Sequence, residues 1–76
     1  MNELNVWVIY DHPRDYPNHF VVRKQVSRPG VIKIDKECHL TKTLGEAREL
    51  VQRFQPGVVC FDRHPTDDTF IVESWL

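Results

Sequence analysis

The sequence predicts a small α+β domain, with an antiparallel sheet of four or five strands and one helix packed on one face, in the order βββαββ. Three observations carry that expectation. Short runs rich in β-branched and aromatic residues recur toward both ends of the chain, each bounded by Pro, Gly, Asp or His clusters. One central stretch alone has helical spacing. The length of 76 residues, 41% apolar and 28% charged, gives room for one core and a single domain spanning 1–76.

Leu4 to Tyr10 is apolar and β-branched, is short enough for a strand, and stops at Asp11-His12-Pro13. After the loop Asp11 to His19, Phe20 to Val26 forms the second strand, ended by the turn-forming group Ser27-Arg28-Pro29-Gly30. Val31 to Ile34 is a third short strand that leads into a polar connection through Asp35-Lys36-Glu37. Thr43-Leu44-Gly45-Glu46 has capping-box spacing, in which the threonine hydroxyl accepts from the glutamate backbone, so a helix starts here. Leu44, Ala47, Leu50, Val51 and Phe54 make its apolar stripe, and Gln55-Pro56-Gly57 ends it. Val58 to Asp62 and Phe70 to Trp75 are the fourth and fifth strands.

Composition narrows the function classes. With 11 acidic and 10 basic residues, the net charge of −1 provides no bulk attraction to nucleic acid or membrane. No run approaches the roughly 20 apolar residues of a membrane span, and Met-Asn-Glu-Leu-Asn lacks the regions of a secretory signal, so the expected location is cytoplasmic. Cys38 and Cys60 belong to no Cys-x-x-Cys pair and are expected to be free thiols. Nothing in the sequence calls for a cofactor.

Tyr10-Asp11-His12-Pro13-x-Asp15-Tyr16-Pro17, leading to Phe20-Val21-Val22-Arg23, is joined by Thr43-Leu44-x-Glu46-Ala47-Arg48 and by Ile71-Val72-Glu73-x-Trp75-Leu76. This set resembles a family of small uncharacterised bacterial and phage-associated proteins. The resemblance covers both ends and the helix, and residues 26–42 carry none of its motifs. It implies a bacterial or phage source and supports the element order, but it implies no activity.

Three readings of the functional residues follow. The first is a non-enzymatic module that binds a protein partner or a second copy of itself as a homodimer. One helix covers one face of a sheet, so the other face is expected to expose Trp7, Ile9, Ile71 and Trp75 as apolar anchors, with Arg23 and Lys24 as rim charges. Alternatively, the sheet curls around a second core closed by its loops, for which Tyr16 and Pro17 are available.

The second reading rests on an internal echo, since His12-Pro13-x-Asp15 is matched by His64-Pro65-x-Asp67. Imidazoles and carboxylates are zinc, manganese or iron ligands, so His12, Asp15, His64 and Asp67 would suit a metal-dependent hydrolytic or acid–base enzyme if the loops converge. The bland reading is turn chemistry, with each proline setting a corner and each aspartate bonding nearby amides. The third reading is a nucleic-acid binder. Residues 23–42 hold six basic side chains and two acids, a local balance of +4, whereas 59–76 sum to −3.

Overall fold

Whether the second sheet face is open or closed depends on where the loops lie, and the strand pairing determines that. The computed structural model describes residues 4–63 and 69–76, and for 34–37 the backbone path alone. The elements are β1 (Leu4–Asp11), β2 (Phe20–Arg28), β3 (Val31–Thr41), α1 (Leu44–Phe54), β4 (Cys60–Asp62) and β5 (Ile71–Trp75). They form an α+β fold with one five-stranded sheet in the order β3-β2-β1-β5-β4, and every neighbouring pair is antiparallel. Both β1 and β4 run antiparallel to β5, so their C-terminal ends lie at the same end of the sheet.

The helix forms where its cap requires. The Thr43 hydroxyl accepts from the Glu46 amide at 3.1 Å, and Gln55 closes the last turn by donating its amide to Val51. Gly57 then takes φ 88°, a left-handed conformation that costs glycine little, and turns the chain toward β4. The stripe on α1 lands on Trp7, Ile9, Val22 and Trp75, with Ala47 and Val51 buried at the centre. Ile9, Val22 and Val51 are fully buried, and each such side chain contributes about 1.5–3 kcal/mol.

Here the expected exposure of Trp7, Ile9 and Trp75 is corrected. All three are buried beneath the helix. The helix covers the face that carries both tryptophans, because Trp7 and Trp75 are direct cross-strand partners and point the same way. Ile71 departs from that set for a local reason: the β1–β5 register shifts between Ile9 and Tyr10, so Ile71 pairs with Tyr10 instead of following the alternation of Trp75 and Glu73.

A second difference concerns β3, which does not stop at Ile34. It continues through 35–37 to Thr41, and its pairing with β2 shifts register between Arg23 and Gln25. The polar residues expected to form a connection are absorbed as an irregularity in a long outer strand.

The face opposite the helix is also closed at its centre, since Val8 and Val21 are 3% and 0% exposed. Of the two loop residues expected to close that face, Tyr16 is half-buried and Pro17 is exposed, while Pro13 of the same loop is buried.

Candidate binding surface

The loop from His12 to His19 is held at every stage of its path. Asp11 donates its amide to the Phe70 carbonyl at 2.7 Å, and His12 donates to His19 at 3.0 Å across the loop neck. Inside the neck, Tyr16 donates to Pro13 and His19 to Tyr16, so the loop is two consecutive turns. His12 takes a positive φ of 46°, and its imidazole bonds the Asp11 carboxylate. Those bonds satisfy the backbone locally and bring the loop tip down onto the sheet.

Two side-chain contacts fix where the tip lies. Arg23 donates to the Asp15 carboxylate at 2.9 Å, and the Tyr16 phenol lies beside Cys38. Arg23 and Cys38 are cross-strand partners and share the face opposite the helix. The Cys38 contact holds the Tyr16 phenol above its ordinary pKa. Pro13 is buried at the base of the loop.

Between this loop and the start of β5 lies an open cleft of ≈ 580 Å³, lined by Tyr10, Pro13, Arg14, Asp15, Arg23, Thr69 and Phe70. Its volume lies within the range of small-ligand and side-chain pockets, roughly 300–1,000 Å³. Arg14 is exposed at its rim and has no hydrogen-bond or ion-pair partner among the described residues.

The metal set is not assembled by the described residues. His12 turns its ring edge onto Phe20, which faces the helix, whereas Asp15 bonds Arg23 on the opposite face. His64 and Asp67 lie outside the described residues. Among the described residues, no group of three or more His, Cys, Asp or Glu is placed to hold a metal ion.

Arg23 and Lys24 also separate, as adjacent strand residues must. Lys24 lies over the Trp7 ring at 5.7 Å on the helix side, while Arg23 is committed to Asp15 on the other. The basic segment therefore does not gather at these two positions into one surface. Its remaining described cations, Arg28, Lys33 and Lys42, are exposed around the β2–β3 hairpin and beyond it.

One polar cluster was not singled out from the sequence. Glu73 is 3% exposed and accepts from Arg48, from Cys60 at 3.1 Å and from the Trp75 indole at 2.7 Å. Four donor atoms from these three residues surround the carboxylate, so it ties the helix to β4 and β5. The available signal was the placement of Glu73 and Trp75 two apart on a strand that also carries core residues.

Compared with protein-family models, with curated proteins and with solved structures, the chain matches none. Among the described residues, no helix is long and apolar enough to cross a membrane.

Proposed function

We propose that this protein is a binding module that recognises another protein through the cleft beneath the β1–β2 loop, and that it comes from a bacterial or phage source. The observation that supports this most is the preformed cleft itself. The loop is already ordered by backbone and side-chain bonds, so little conformational entropy remains to be lost when a partner docks. Arg14 stands at the rim, Tyr10 and Phe70 supply half-buried aromatic walls, and Pro13 is a rigid base. The neighbouring acid and imidazole are engaged in holding the loop, Asp15 with Arg23 and His12 with Asp11, which favours recognition over acid–base chemistry.

A photo-crosslinking amino acid at Thr69, on the exposed cleft wall, tests this against the same group at Arg53 on the helix. Discrete protein adducts from position 69 and none from 53 support the reading. Equal adducts from both positions, or none from 69, contradict it.

Self-association is a second reading, favoured by the exposed apolar residues on the outer strands. Val31 and Ile32 on β3 are 57% and 74% exposed, and Phe61 on β4 is 52% exposed. Light scattering across a concentration series distinguishes a monomer from a homodimer, and Ile32→Lys would return a β3-mediated dimer to monomer.

A further inference from the structure

We propose that the cleft takes a carboxylate of its partner, with an aromatic or bulky apolar side chain beside it. This deepens the binding reading above and rests on it. The charged side chains of the described lining point to the sign of the ligand. Among the described lining residues, two guanidiniums, Arg14 and Arg23, and one carboxylate, Asp15, leave a balance of +1. Asp15 already accepts from Arg23, so among the described lining residues Arg14 is the cation with no acid on it. A monoanion neutralises that balance, whereas a dianionic phosphate would exceed it and be repelled by Asp15.

The geometry of the donor agrees. A guanidinium presents parallel N–H groups that match the two oxygens of a carboxylate, and such bidentate pairs are among the stronger hydrogen bonds. Arg14 is exposed at the rim, where the carboxylate keeps part of its hydration while it binds. Arg23 is only 24% exposed and its Nη2 is used by Asp15, so it supports the field of the site and leaves the leading contact to Arg14.

The apolar half of the ligand follows from the walls. Tyr10, Phe70 and Pro13 line the cleft with Arg14, an apolar lining that an aromatic or large aliphatic neighbour covers best. A carboxylate with such a neighbour is present either at a chain terminus or on an Asp or Glu side chain. The shared chemistry is the same in both cases.

The test is an NMR titration of the intact protein with three capped dipeptides. Acetyl-Phe-Glu-amide carries a side-chain carboxylate, acetyl-Gln-Phe with a free C-terminus carries a terminal one, and acetyl-Phe-Gln-amide is the neutral control. One or both acidic probes should shift the amides of Tyr10, Arg14, Arg23 and Phe70, with the neutral probe binding at least about fivefold more weakly. The stronger acidic probe identifies the source. Arg14→Gln should weaken acidic binding by about fivefold and leave the neutral probe unchanged, while Arg53→Gln changes neither. Affinity for the acidic probes should also fall with added salt.

Neutral and acidic probes of equal affinity at the cleft would overturn the carboxylate inference and leave the cleft reading intact. Shifts confined to residues outside the cleft, or none at millimolar probe, would overturn it as well. Crosslinking from position 69 tells those last cases from a failure of the binding reading itself.

Discussion

The Arg48 guanidinium on the helix grips both oxygens of Glu73 on β5, at 2.8, 3.1 and 3.2 Å, although the two residues stand 25 positions apart. Glu73 is 4% exposed at its side chain and Arg48 is 48% exposed, so a buried anion is neutralised by a cation that keeps its own hydration. Removing the anion takes a shared acceptor from four donor atoms, two on Arg48 and one each on Cys60 and Trp75. Glu73→Gln should therefore destabilise the fold by about 2–3 kcal/mol in urea unfolding, because one amide oxygen cannot replace two carboxylate oxygens.

The same cluster makes stability depend on pH. Burial alone would push the Glu73 carboxyl up, but the hydrogen bonds from Arg48, Cys60 and Trp75 outweigh it and hold the carboxyl below its ordinary value. A group whose pKa is lower folded than unfolded stabilises the fold fully above its unfolded value. That contribution is lost as pH falls through the lower, folded value. The stability gap between the natural chain and Glu73→Gln should thus be widest near neutral pH and shrink on acidification. A gap that widened toward acid would contradict the assignment.

Cys60 illustrates how a thiol can be exposed as a residue yet reluctant to react. Burial of its sulfur, and next the adjacent Glu73 carboxylate, push its pKa up to about 11. Iodoacetamide labelling at mildly alkaline pH should be roughly ten- to a hundredfold slower at Cys60 than at an unperturbed thiol. Glu73→Gln should speed it. Equal rates in both chains would show that the carboxylate does not govern the sulfur.

At the other end of the helix, Phe54 stacks on Trp7 with ring centroids 5.2 Å apart and planes 12° apart, and it also meets His39 at 4.7 Å. Phe54 is 45% exposed, so its ring works as a cover over the indole, whose N–H reaches Gln55 at 3.0 Å. Phe54→Ala should cost about 1–2 kcal/mol and shift tryptophan emission to the red as water reaches Trp7. Gln52→Ala, on an exposed helical position, should do neither.

Much of the fold was legible because local chemistry agrees with the final packing. Thr43, Glu46 and the stripe from Leu44 to Phe54 define a helix by spacing alone, and the structure places its start and end there. What spacing does not contain is which face of a two-sided apolar strand the helix takes. β1 carries Trp7 and Ile9 on one face and Val8 on the other, and both faces are buried. The helix took the tryptophan face, which removed the expected anchors from the surface.

The cleft was less legible still. Tyr10, Pro13, Asp15 and Arg23 all belong to the motif that stood out in the sequence, but their role depends on the loop folding back over the sheet. Asp15 and Arg23 are eight residues apart, and only the antiparallel return of β2 beneath the loop brings them to 2.9 Å. His12 and Asp15 separate as well, His12 with its ring against Phe20 and Asp15 bonded to Arg23.

The most direct measurement is the set of proton NOEs between the Tyr16 ring and the β-protons of Cys38, 22 residues further along the chain. The clasped loop requires these NOEs, together with slow amide exchange at Asp11 and His12, whose N–H groups bond Phe70 and His19. Absent NOEs, with fast exchange at both amides, would show a loop that stands away from the sheet and would remove the preformed cleft.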